Sequence, residues 1–154
     1  MLTCLRVRNL AIIDALEVTL GPGLNVLTGE TGAGKSILVD ALQLVLGAKG
    51  KAEMVRTGAD AAEVEALFER PDDPELRARL EAHGLAEADE IIVRRVVQAN
   101  GRSRGYINGR LASAAELTEL AAGLADISSQ HEHHTLVNPE THLAYLDAYG
   151  KLGA

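Results

Sequence analysis

Gly29-Glu30-Thr31-Gly32-Ala33-Gly34-Lys35-Ser36 reads G-x-x-x-x-G-K-S, the phosphate-cradling loop known as Walker A. Its neighbours match what such a loop requires. Leu24-Asn25-Val26-Leu27-Thr28 is a short apolar run of strand type. After the loop, Ile37, Leu38, Ala41, Leu42 and Val45 recur at helical spacing, and Gly47 stops the pattern as a C-cap does. Strand, glycine loop and helix in that order predict an α/β fold of the P-loop kind.

The residue types suit a triphosphate. Gly29, Gly32 and Gly34 let the backbone curl and approach closely, since glycine accepts positive φ and carries no Cβ. The helix beginning near Lys35 offers unsatisfied N–H groups and the positive end of its dipole, worth only about 0.3–2 kcal/mol. The Lys35 ammonium therefore counts as a separate contact to the β/γ-phosphates. The Ser36 hydroxyl is a hard oxygen ligand suited to Mg²⁺. The plain alternative, a glycine-rich turn with an accidental lysine, is disfavoured because every fixed position of the motif is met in context.

The chain has 154 residues, 47% of them apolar, which suits one domain with a real core. No apolar run reaches membrane-spanning length and no signal peptide opens the chain, so a soluble, cytoplasmic location with no membrane partner is expected. Cys4 stands alone and reads as a small, buried apolar residue. The net charge is −7, yet Arg94, Arg95, Arg102, Arg104 and Arg110 fall between Ile91 and Ala115 with no acid among them. Such a basic hairpin suits a phosphate backbone or an acidic surface, or is simply solvated; the pattern slightly favours the last.

Along the chain, Leu2 to Val7 and Leu16 to Leu20 read as strands, joined to the phosphate loop through the turn Gly21-Pro22-Gly23. Val64, Ala66 and Phe68 mark another strand, and Glu75–His83 a short helix. Glu90–Gln98 and Arg102–Ile107 form a hairpin through Asn100-Gly101, and Asn108-Gly109 makes a second turn. Ser113 with Glu116 is a capping box for a helix near Ala114–Ala122. Leu124–Ile127 reads as a short buried strand, and Asn138-Pro139 opens a last helix ended by Gly150.

An antiparallel pair ahead of the loop resembles the ATP-binding-cassette arrangement, in which a β-subdomain covers the nucleotide base. Leu5-Arg6-Val7-Arg8-Asn9-Leu10-Ala11-Ile12-Ile13-Asp14, followed by Leu24 to Ser36, is similar to the opening of the SMC-like ATPases. Glu30-Thr31-Gly32-Ala33 inside the loop resembles the RecN family among them. So do Asp40-Ala41-Leu42, Leu46-Gly47, the turn Gly105-Tyr106-Ile107-Asn108-Gly109-Arg110, and Asp126-Ile127-Ser128-Ser129-Gln130-His131-Glu132-His133.

The resemblance implies the N-terminal lobe of an ABC/SMC-like ATPase head, with an antiparallel β-subdomain and a mixed sheet flanked by helices. Residues 1–150 would be that half-head, and 151–154 would lead toward a coiled coil and the C-terminal half. It implies ATP and Mg²⁺ as ligands, with Gly29, Glu30, Thr31, Gly32, Ala33, Gly34, Lys35 and Ser36 on the phosphates. Ser36 and Gln130 would lie on the metal, and Gln130 would act as the glutamine-loop residue that also reaches the attacking water. Arg56 lies where such heads carry an arginine near the γ-phosphate or DNA; a loop arginine on the surface is the equal alternative. Where some relatives place a basic residue near the nucleotide this chain has Ala11, which leaves Arg8 as a weak candidate. The implied activity is ATP hydrolysis by two heads closing on two nucleotides, coupled to DNA in double-strand-break repair and recombination, near the nucleoid.

Other motifs are weaker. His131-Glu132-His133-His134 lacks zinc-ligand spacing. Leu143-Ala144-Tyr145-Leu146-Asp147 mimics a Walker B strand, but the helix start at Asn138-Pro139 and the shared face of Leu143 and Leu146 favour a helix. No Walker B with a catalytic Glu and no L-S-G-G signature occurs in the sequence. A composite site is therefore expected, with this chain alone inactive. A self-contained P-loop phosphotransferase and a non-hydrolysing ATP switch for DNA binding or dimerisation are the two rival readings.

Overall fold

Along β3 (Ala61–Glu69) every second side chain is apolar, and the computed structural model buries Ala62, Val64, Ala66 and Phe68 against the core. The same alternation buries Leu5, Val7 and Leu10 of β1 (Leu2–Leu10), and Ile91, Val93 and Val97 of β4 (Glu90–Gln98). The structure describes residues 1–29, 34–70, 72–85, 88–125, 127 and 139–150. With β2 (Ile13–Thr19), β5 (Ser103–Ile107) and β6 (Arg110–Ala112), these strands form a six-stranded sheet in the order β2-β1-β3-β4-β5-β6. Every described pairing is antiparallel.

The apolar face is covered by helices. α1 (Lys35–Val45) packs Ala41, Leu44 and Val45 onto the sheet, against β1, β3 and β4. α3 (Ala114–Leu124) buries Leu117 and Leu120 beside β5 and against α2 (Pro74–Ala82). Ser113 and Glu116 exchange the two hydrogen bonds of a capping box at its start, at 2.7 and 3.2 Å. α4 (Pro139–Gly150) confirms the helix after Asn138, not a Walker B strand. The opposite face of the sheet is polar and laced by cross-strand ion pairs: Arg6 with Glu17 at 2.9 Å and Glu65 at 3.1 Å, and Arg94 with Glu63 at 2.8 Å. These pairs hold the Arg6 and Arg94 guanidinium pKa values above the usual range, through hydrogen bonds to Glu17 and Glu63 respectively.

Three expectations are corrected. Leu24–Thr28 is not a strand here. Asn25 closes a local loop instead, accepting from the Gly21 N–H at 3.0 Å and donating to the Gly21 carbonyl at 2.8 Å. A strand needs a neighbour, and no described strand pairs with this run. For the same reason the expected mixed sheet is represented by its antiparallel strands alone. Of the short strand expected at 124–127, Leu124 instead ends α3 and neither Ala125 nor Ile127 is in a strand, while Asp126 lies outside the described residues. Cys4 is free and half-buried rather than fully buried, because it shares the outer face of β1 with Arg6 and not the inner face that buries Leu5 and Val7.

Candidate phosphate-binding site

α1 begins directly at Lys35, after Gly34 in the left-handed region at φ 91°. A side chain there would be strained, which accounts for the glycine. Among the described residues no side chain caps this helix start, and no acid stands in its first turn. The first N–H groups and the positive dipole end thus remain free for an anion. Lys35 and Ser36 are exposed. The Lys35 ammonium reaches back and donates to the carbonyl of Gly29, bridging the two ends of the loop. Glu30, Thr31, Gly32 and Ala33 lie outside the described residues, as do Gln130 and His131–His134.

The turn between β1 and β2 borders this loop. Ile13 Cδ1 lies 3.9 Å from where a Cβ on Gly34 would stand. Asn9 and Ala11 adopt positive φ, at 51° and 50°, which non-glycine residues do only when held. The segment after α1 holds them: the Arg56 N–H donates to the Asn9 carbonyl and the Ala11 N–H to the Met54 carbonyl, both at 2.8 Å. Leu10 and Val55 form a β-bridge between these bonds. The Arg56 guanidinium then meets the Asp14 carboxylate at 3.4 Å. One turn is therefore flanked by the phosphate loop on one side and by Arg56 on the other.

Arg8 is placed differently. It is exposed on the outer face of β1 with Arg6, opposite Ala15 and Glu63 in register, whereas α1 packs on the inner face. Ile13 and Asp14 are the residues that motif reading missed. Nothing in their spacing marks them, because their role comes from the turn's docking. The basic hairpin is not one patch either. Arg94 is paired with Glu63 and lies 5.7 Å from the Tyr106 ring centre, and Arg95 points inward, leaving Arg102, Arg104 and Arg110 exposed.

Residues 4–133 match the family model described as an AAA domain. The chain belongs to the AAA domain family. It is 47% identical over 150 residues to DNA repair protein RecN of Halalkalibacterium halodurans, covering 97% of this chain and 26% of that protein. It is 42% identical to DNA repair protein RecN of Vibrio cholerae, over 97% of this chain and 27% of the relative. The likeness expected from the loop and its flanks thus extends over nearly the whole chain, which spans about a quarter of the length of the curated relatives it matches.

Among solved structures, a chain from work on ATP-driven dimerization and DNA stimulated activation of SMC ATPases superposes with a TM-score of 0.69 at 23% identity, over 96% of this chain and 98% of that one. The SMC head domain from Thermotoga maritima gives a TM-score of 0.60 at 22% identity, over 77% of this chain and 41% of that one. The fold is that of an N-terminal lobe of an ABC/SMC-type ATPase head. No described helix is long and apolar enough to cross a membrane.

Proposed function

We propose that this chain is the nucleotide-binding N-terminal part of an SMC-like ATPase acting in DNA double-strand-break repair and recombination. The observation that carries the reading is the uncapped start of α1 beside an exposed Lys35 whose ammonium spans the glycine loop. The relatives named DNA repair protein RecN supply the setting.

Gly29 to Ser36 hold the nucleotide phosphates through backbone N–H groups, with Lys35 on the β/γ-phosphates. The donor set fits a Mg²⁺–nucleotide: the loop offers N–H groups and an ammonium to the anion, and the exposed Ser36 hydroxyl offers a hard oxygen to the cation. Ser36, with the amide oxygen of Gln130, would hold the ion. The metal supplies charge neutralisation for phosphoryl transfer. Arg56, held on the turn beside the loop, adds positive charge toward the γ-phosphate.

Residues 1–150 make one half of a head, and residues 151–154 lead toward the rest. The apolar run before the loop supports an incomplete head. Leu24 is 90% exposed and Val26 70% exposed, and no described strand pairs with them. Such a run suits burial against a strand from the remaining length that the relatives possess. Catalysis then requires a second head, whose signature segment completes the site and positions water by charge and proximity. ATP closes the head dimer, and hydrolysis opens it on DNA.

The test is turnover by residues 1–154 alone and by the complete protein. The account expects weak ATP binding and negligible hydrolysis by the fragment, with hydrolysis by the whole. Robust turnover by the fragment alone would contradict the composite site.

A further inference from the structure

β2 is the outermost strand of the sheet, and no described strand pairs with its free edge. The Leu20 N–H donates to the Thr3 carbonyl at 2.8 Å, which fixes the alternation of the β1–β2 ladder. Asp14, Leu16 and Val18 therefore turn their backbone groups toward β1, and Ala15, Glu17 and Thr19 turn theirs outward. All three of the latter are exposed, and no described group takes their outward N–H donors or carbonyls.

Native sheets protect such an edge with a proline, a bulge, a free charge, a very short strand or a covering element. Among the described residues β2 has none of these. It is seven residues long without a proline, and it keeps one register with β1 from Cys4 opposite Thr19 to Leu10 opposite Ile13. Its two charges are both drawn back into their own chain, Glu17 to Arg6 at 2.9 Å and Asp14 to Arg56 at 3.4 Å. At the other end of the sheet β6 has only three residues. Burial of the inner face is also unfinished at β2. Val64, Val7 and Leu16 form one row across β3, β1 and β2, and Ala66, Leu5 and Val18 form the next. α1 packs on β3 and β1, where the first two residues of each row are buried. Leu16 is 37% exposed and Val18 half-buried.

We infer that the β2 edge docks the same edge of a second copy, joining the two sheets antiparallel about a two-fold axis at Leu16. The phosphate loop takes no part, so the pairing is independent of the nucleotide reading. A two-fold axis perpendicular to the sheet keeps both inner faces on one side and uses each edge once, so the assembly closes at a dimer. The outward groups belong to alternate residues, which leaves axes at Ala15, Leu16 or Glu17 near the middle of the strand. An axis at Glu17 sets two like charges directly opposite each other, which destabilises a pair. An axis at Ala15 sets Leu16 against the Asp14 carboxylate of the second copy. An axis at Leu16 sets Glu17 opposite Ala15 of the second copy, and sets the two Leu16 side chains together in the close, non-hydrogen-bonded position. The apolar row from β3 then continues across the seam, and the exposed Leu16 is covered.

The test is oxidative cross-linking of the complete protein without nucleotide, with Leu16→Cys compared against Val18→Cys in a Cys4→Ser background. Two copies of residue 16 meet at the axis, whereas two copies of residue 18 stand about 13 Å apart along the strands. The expected result is a disulfide-linked dimer with Leu16→Cys that rises with protein concentration, and none above the Cys4→Ser parent with Val18→Cys. Adding Ala15→Pro to Leu16→Cys removes an outward N–H and leaves the β1 ladder untouched, so the cross-link is lost while Mg²⁺–ATP affinity is retained. Equal cross-linking at positions 16 and 18 reports random collision and overturns the proposal. No cross-link at position 16, the outcome if another segment of the complete protein or a different partner covers the edge, overturns it too. A cross-link that survives Ala15→Pro does the same. The comparison of positions 16 and 18 does not depend on the proline variant, and none of these outcomes bears on nucleotide binding.

Discussion

The Arg56 guanidinium lies 3.4 Å from the Asp14 carboxylate, tying the segment after α1 to the turn between β1 and β2. Just past that turn, Ile13 at the start of β2 places its Cδ1 3.9 Å from where a Cβ on Gly34 would stand. A residue 20 positions beyond the glycine loop is thereby brought to its neighbourhood by backbone pairing, not by proximity in sequence.

Arg56→Ala separates the two roles open to this arginine. The pair is solvent-exposed, so its loss changes stability by about 1 kcal/mol or less. The backbone bonds to Asn9 and from Ala11 keep the segment docked. Chemical denaturation therefore shows an almost unchanged midpoint, while ATP turnover by the complete protein falls. Asp14→Ala leaves turnover intact. Unchanged turnover in Arg56→Ala would make the arginine a surface residue only.

Gly47→Ala is expected to be among the most damaging small substitutions. Gly47 follows α1 at φ 106°, and an added Cβ would stand 2.3 Å from Thr118 Oγ1 and 3.1 Å from the Thr118 backbone nitrogen. Strain and overpacking combine, because the backbone of α3 cannot simply rotate away. Urea unfolding should show a loss of about 2–4 kcal/mol. A loss under 1 kcal/mol would mean that α1 and α3 are not packed as described.

The cap of α3 makes stability depend on pH. The Ser113 backbone N–H, followed by its hydroxyl, holds the Glu116 carboxyl below the usual carboxylate range. A lowered folded pKa gives stability that is present above the unfolded value and lost as pH falls through the folded one. The thermal midpoint should fall on acidification below about pH 4.5, the ordinary value for glutamate. Glu116→Gln, which keeps a neutral capping partner, should flatten this acid limb. An equally steep limb in that variant would assign the pH dependence to other carboxylates.

The strands β3, β4 and β5 were legible because each carries its own local signal, whereas β6, the three residues after the Asn108-Gly109 turn, was not read as a strand. Ala62 to Phe68 alternate, Asn100-Gly101 and Asn108-Gly109 turn, and Ser113 with Glu116 caps. Leu24–Thr28 has the same apolar content as a strand, yet strand formation is a property of a pair. The reading of Gly29–Ser36 as a phosphate loop rests on fixed residue types at fixed spacing, and of that stretch the structure describes Gly29, Gly34, Lys35 and Ser36. Arg56 at the β1–β2 turn depends on a long-range bridge, Leu10 to Val55, which no periodicity announces. The same holds for Arg95: β4 alternation assigns its position to the inner face, but the charge itself gives no hint of burial.

The most direct measurement is the affinity of the complete protein for Mg²⁺–ATP with and without Lys35→Ala, by equilibrium titration. Lys35 is exposed, so its truncation leaves the fold intact. Binding should be nearly abolished, with the unfolding midpoint of the nucleotide-free protein unchanged. Affinity equal to that of the wild type would contradict the account.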